Sequence, residues 1–207
     1  MGLVATTAAL VLGLLISSAK SFYDAQSAEL TQMSAKIVLL DRLLAHYGPE
    51  AKDAREALRA AVAGSIDRIW PDEHTRASEL LAPSTGAENV LVKIEALSPQ
   101  DDTQRSLRAQ SLNLTIDLAQ TRWLIYEQGA NSVSTPMIVT FVFWLVAIFF
   151  SFGLFAPRNA TVIAALMVAA MSVSGAIFLI LEMYSPFEGL IRISSAPLRT
   201  ALLHLGQ

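Results

Sequence analysis

The 207-residue chain is 53% hydrophobic and only 16% charged, with a formal net charge of −3 and no cysteine. Disulfides, thiolate nucleophiles and cysteine-based metal sites are excluded, and an acidic balance with no basic stripe excludes a nucleic-acid partner. The apolar excess sits in three uncharged runs, residues 2–19, 137–156 and 160–181, a distribution expected of a membrane protein.

As helices the runs would measure about 27, 30 and 33 Å, against a hydrocarbon core of about 30 Å. The first, residues 2–19, has a secretory signal peptide as its rival reading, because Ser17-Ser18-Ala19 imitates a small-x-small cleavage site before Lys20. The lack of Lys or Arg ahead of the run, its length, and a helical pattern continuing past Lys20 favour a retained span. Ala5, Ala9, Gly13 and Ser17 recur every four residues along it. Such a small-residue stripe suits close helix packing within the chain, or an oligomer interface or narrow pore.

Residues 20–136 form a polar-to-amphipathic helical region. Leu30, Met33, Ile37, Leu40, Leu44 and Tyr47 alternate by threes and fours, the seam of a helix packed on other helices. No breaker interrupts the run from Leu3 to Tyr47, so one continuous helix of about 65–70 Å is predicted there. Gly48-Pro49 then reads as a stop and restart. A second helix follows from Pro49 to Trp70, ended by Pro71, and residues 71–86 hold most of the loop-forming residues. A short helix is predicted over Ala87–Leu97. Ser98-Pro99-Gln100-Asp101 reads as a capping box opening a long helix to about Gln128. Leu107, Leu114, Leu118 and Ile125 line one face of that helix, flanked by Leu112, Ile116 and Trp123.

The second span, residues 137–156, is crowded with aromatics: Phe141, Phe143, Trp144, Phe149, Phe150, Phe152 and Phe155. Anchoring, lipid contact and packing are their ordinary roles, while Phe149 and Phe150 are candidates for a hydrophobic gate that closes by dewetting. The third span, residues 160–182, has small-residue pairs at Ala165/Ala169, Ala170/Ser174 and Ser172/Ala176. Glu182 closes it and is the one acidic side chain attached directly to any apolar run. A carboxylate at that depth is costly unless protein, water or an ion compensates it, which makes it a candidate ion-binding or pore-mouth group. Its structural alternative is to reach water or pair with Arg192. Beyond it, residues 183–207 form a tail in which Pro186 and Gly189 break the helix. Leu190 to Leu205 is amphipathic enough to lie along a bilayer surface.

Charge counting sets the orientation. Lys20, Lys36, Arg122, Arg192 and Arg199 lie on the side of the helical region, against Arg158 alone in the turn between the last two spans. The positive-inside rule therefore puts residues 20–136 and the C-terminus in the cytoplasm of a multi-pass protein. Enzyme chemistry finds no support. His46, His74 and His204 are scattered, no Gly-rich phosphate loop exists, and no metal-ligand spacing or cofactor motif is present. Asp101-Asp102 reads as a charged first helical turn, and His46 as a capping or packing group.

Several segments resemble the bestrophin-like family of bacterial membrane proteins. These are Ala9–Lys20, Leu39-Leu-Asp-Arg-Leu-Leu-Ala-His-Tyr-Gly-Pro-Glu50, Ser151–Asn159, Leu179-Ile-Leu-Glu-Met-Tyr-Ser-Pro-Phe-Glu-Gly-Leu-Ile191 and Ile193–Leu198. Relatives commonly carry a further hydrophobic span ahead of the one beginning here at Gly2, so the resemblance implies four spans in a complete protein. They also often have an acidic residue where Tyr184 stands, which argues against a two-carboxylate site beside Glu182. The reading is all-α: a multi-pass transmembrane protein whose long helices extend into a cytoplasmic helical bundle. The resemblance implies a homo-oligomeric ion channel among membrane lipids. Thr6, Ser17, Ser172 and Ser174 are the candidate pore or ion-binding hydroxyls, with Glu182 a candidate mouth residue. Ion sign stays open, since a carboxylate favours cations and the kinship implied by the family name favours anions. The alternative is a non-conducting scaffold or sensor whose cytoplasmic helices bind a partner.

Overall fold

The computed structural model describes residues 2–70, 85–130, 135–155, 157, 159–187 and 189–206, with backbone alone for 2–5, 85, 126–130 and 135–138. The described residues contain helices and no strand. They are α1 (Gly2–Tyr47), a 3₁₀ turn at Pro49–Ala51, α2 (Lys52–Ile69), α3 (Thr85–Glu95) and α4 (Asp102–Ala130). These are followed by α5 (Thr135–Phe155), α6 (Ala160–Met183) and α7 (Ala196–His204). The predicted loop at 71–86 lies mostly outside the described residues.

The predicted continuous helix is present. Helix α1 runs unbroken until Gly48, whose φ of 127° belongs to a region open to glycine and strained for other residues. The chain restarts at once, the Ala51 N–H donating to the Gly48 carbonyl at 3.1 Å. Pro49 has φ pre-set for a first turn, but that turn is 3₁₀, so α2 begins at Lys52 rather than at Pro49. The short helix predicted over 87–97 starts two residues earlier and ends at Glu95.

By contact, the chain divides into two units: residues 1–25 with 128–192, and residues 26–127 with 193–207. In the second unit every member of the predicted seam is buried, from Leu30 and Met33 through Ile37, Leu40, Leu44 and Tyr47. Each such aliphatic side chain contributes about 1.5–3 kcal/mol through burial. Helix α2 buries Ala54, Leu58, Val62 and Ile66, and packs against both α3 and α7. Arg108 reaches from α4 to the C-terminal carbonyls of α3, donating to those of Ile94 (3.2 Å) and Glu95 (2.7 Å), where a cation offsets the helix dipole.

Helix α4 opens differently from the predicted box. Asp101, not Ser98, is the capping side chain, its Oδ1 accepting from the Gln104 N–H at 2.7 Å. Gln104 turns back to accept from the Gln100 N–H at 2.8 Å, and its amide also donates to the Tyr47 carbonyl at 3.0 Å. The most buried side chains of α4 are polar: Ser111 and Thr115, with Leu107, Leu114 and Leu118 half-buried beside them. Thr115 satisfies its hydroxyl on the Ser111 carbonyl at 2.8 Å, which lets a threonine fill an apolar position.

The first unit has little interior. Ala8 and Ala19 of α1, Phe141 and Leu145 of α5, Ile180 of α6 and Pro186 beyond it are its buried apolar residues among those described. Leu10, Leu14, Val139, Phe143, Met171 and many others stay exposed. Two helices, within Thr6–Tyr47 and Ala160–Met183, are long and apolar enough to cross a membrane, and Val139–Phe155 is a shorter apolar helix. A soluble fold would hide such helices in its core, whereas these are almost wholly outward-facing.

Candidate functional site

The end of α6 is held together by one carboxylate. Glu182 is half-buried, and its Oε1 accepts from the backbone N–H groups of Leu190 and, at 3.0 Å, of Ile191. The chain folds back after Met183 because Tyr184 keeps helical dihedrals while Gly189 adopts a φ of 83°, the left-handed region. Two successive amides turned toward one oxygen make a small anion-holding concavity, filled here by the side chain of the same segment. Arg192 does not take this carboxylate. Its Nε donates to the Gly189 carbonyl at 2.7 Å, so Glu182 and Arg192 each close backbone bonds of the loop.

Tyr184, the next residue but one, faces α1. Its hydroxyl lies 3.3 Å from the Ser18 Oγ and its ring 5.4 Å from the ring of Phe22. One turn away Lys20 pairs with Asp24 and sits 5.9 Å from the centre of the Tyr23 ring, an arrangement suited to an interface between apolar and wet surroundings.

The other predicted site residues are spread over helix surfaces. Ala9, Gly13 and Ser17 are exposed, and nothing lies within 4 Å of a Cβ placed on Gly13. The side chain of Ala5 lies outside the described residues. Packing within the chain uses the neighbouring face of α1, carrying Ala8 and Ala19, so the small-residue stripe is not consumed by it. Thr6, Ser172 and Ser174 are exposed as well, the Ser172 hydroxyl donating to the Val168 carbonyl at 2.9 Å. Phe150 is exposed and Phe149 half-buried, as a helical step of about 100° between neighbours requires. Within a single chain these groups do not converge on one point. Among the described residues no group of three or more His, Asp or Glu side chains is placed to hold a metal.

A second polar centre, absent from the sequence reading, lies in the other unit. Asp41, buried on α1, accepts from Arg55 of α2 through both oxygens: Oδ1 from Nε at 2.8 Å and Oδ2 from the terminal nitrogen at 2.9 Å. The Gly206 N–H adds a third bond to Oδ2 at 3.3 Å. The hydrogen bond to Asp41 raises the Arg55 pKa further above its ordinary value. Arg122, by contrast, is pushed down by burial and by Arg68 nearby, with Glu88 opposing. The His46 Nδ1 lies 2.8 Å from the Arg42 carbonyl, one turn back in its own helix.

The model of the bestrophin-like domain matches residues 1–198. The chain belongs to the bestrophin-like family. No curated protein and no solved structure matches it. Membership and the outward-facing apolar helices together point to a membrane protein. Two of the segments that resemble bestrophin-like proteins contain the two polar centres. Leu39–Glu50 carries Asp41 and the Gly48 turn, and Leu179–Ile191 carries Glu182, Gly189 and the two amides it binds.

Proposed function

We propose that this bestrophin-like protein is a homo-oligomeric channel of the bacterial inner membrane, with residues 20–136 and the tail on the cytoplasmic side. The observation that carries the reading is the free small-residue and hydroxyl surface of the spans. Ala9, Gly13 and Ser17 on α1, and Ser172 and Ser174 on α6, point away from the chain's own packing. Membrane helices associate through close backbone approach at such residues, and repetition by symmetry would gather these hydroxyls around one axis. The positive-inside count of Lys20, Lys36, Arg122, Arg192 and Arg199 supports the orientation.

Glu182 fits a pore-mouth anchor better than a selectivity group. Its charge is already met by two backbone amides, so a ring of such carboxylates offers permeating cations little. Without that cation-favouring term, anion conduction becomes the more economical reading. Purified protein in liposomes, assayed for chloride and for potassium flux, tests this. Wild type and Glu182→Gln are expected to share the same ion preference. Cation flux that collapses in Glu182→Gln would restore the selectivity role, and no flux from a correctly assembled oligomer would sink the channel.

The second reading, a non-conducting scaffold or sensor, draws on the exposed apolar side chains of the helical region, Leu39, Ile116 and Leu124 among them. Absent flux, together with an assembly whose axis is filled by lipid or Phe side chains, would favour it.

A further inference from the structure

The loop after α6 holds its anion by a single atom. Glu182 Oε1 accepts from the N–H groups of both Leu190 and Ile191, while Oε2 takes no hydrogen bond among the described residues. One negatively charged acceptor shared by two amides is a role that a halide ion, or one oxygen of a small carboxylate, can fill as well. The backbone supplies the geometry, through the left-handed φ of 83° at Gly189 that turns the following amides inward.

This cradle is also open. Leu190 is 84% exposed, and Gly189 and Arg192 are exposed beside it. Arg192 is fastened through Nε to the Gly189 carbonyl, which keeps a permanent positive charge next to the two amides. With the carboxylate in place, the charges of Glu182 and Arg192 offset each other. With it swung out, two amides beside a cation are left for another anion. We infer that the Leu190–Ile191 amide pair is an exchangeable anion site: Glu182 is its resident occupant, and a halide or small carboxylate from solution can take its place. The inference assigns no ion flux, and it holds for a channel and a scaffold alike. Exchange is a competition, because a tethered carboxylate acts at an effective concentration of about millimolar or above.

Amide NMR reads the site directly, on the full chain in nanodiscs with nitrogen-labelled leucine and isoleucine, titrated with sodium chloride. The Leu190 and Ile191 resonances should move along a saturating curve, while other leucines and isoleucines show only the unsaturating drift of ionic screening. Half-saturation should fall in the order wild type, Glu182→Gln, Glu182→Ala, as the competitor loses first its charge and then its oxygen. Between the two ends the fall should be about tenfold or more, the factor that one charge-assisted hydrogen bond is worth. Sodium formate in place of chloride should give the same order. If Glu182→Ala does not fold, wild type against Glu182→Gln still decides the matter. A wild type with no saturable shift would make Glu182 a permanent cap, and equal half-saturation in all the folded proteins would put the anion outside the cradle. Either result overturns the exchange.

Discussion

A Cβ added to Gly189 would lie 2.7 Å from the carboxyl carbon of Glu182, nearer than real side chains approach. Two demands meet there: a left-handed φ of 83°, and room for the carboxylate to reach the following amides. Gly189→Ala pays the left-handed penalty of about 1–2 kcal/mol. It also displaces charge-assisted hydrogen bonds worth about 1.5–3 kcal/mol. Thermal unfolding in detergent should show a clear loss for Gly189→Ala and a smaller one for Glu182→Gln, which keeps an oxygen acceptor. Equal stability of Gly189→Ala and wild type would mean that the carboxylate does not fill the loop.

The Asp41–Arg55 pair predicts an asymmetry. The Asp41 side chain is 2% exposed and that of Arg55 23% exposed. Breaking a buried pair costs about 3–5 kcal/mol, mostly for the charge left behind. Arg55→Ala strands a carboxylate in the interior with only the Gly206 N–H, whereas Asp41→Ala leaves a guanidinium already near water. Denaturant unfolding should therefore rank Arg55→Ala as the more damaging, with the double variant Asp41→Leu/Arg55→Met recovering most of the loss. Lys36–Asp117, 2.7 Å apart but with side chains 30% and 49% exposed, is the control. Its removal should change stability by no more than about 0.5 kcal/mol.

Tyr47 predicts a gain. Its hydroxyl is buried at the end of α1 and finds no hydrogen-bond partner among the described residues. Burial, reinforced by Glu50, raises its pKa above the usual value of about 10, so the folded chain holds the phenolic proton more tightly than the unfolded chain does. The associated stability is complete below the unfolded pKa and is lost as the pH rises through the folded one. Tyr47→Phe should be neutral or more stable by about 1 kcal/mol at neutral pH. Above about pH 10 it should lose less stability than wild type. A melting temperature that falls equally with pH in both proteins would remove Tyr47 from this limb.

Much of the helical region was legible because it rests on two simple signals. Three-four spacing marked the seam from Leu30 to Tyr47, and Gly48-Pro49 marked where the chain had to turn. What escaped was polar. Asp41 and Arg55 lie seven residues to either side of Gly48, so folding the chain back at that turn pairs them, but no periodic pattern marks a pair that spans two helices. Ser111 and Thr115 escaped because an alphabet of apolar residues passes over a threonine whose own helix satisfies it. At Glu182 the sequence offers a charged partner, Arg192, that the carboxylate does not take. Backbone amides, which every sequence carries, leave no mark except the glycine that turns them.

The stripe on α1 supplies the test that separates fold from assembly. Gly13 has open space where its Cβ would be, and its neighbours Ala9 and Ser17 are exposed, so the single chain gives no steric reason against a larger residue. Gly13→Leu should even raise helix propensity, glycine being about 1 kcal/mol worse than the best formers. Between copies of the chain the same substitution removes the close approach on which small-residue packing depends. Mass measurement in detergent should thus find Gly13→Leu folded, with unchanged helix content, but shifted to smaller species. Gly175→Leu on α6, also in open space, tells whether that helix shares the interface. An intact oligomer in both variants would place the contact between copies elsewhere, and would remove the stripe from the pore.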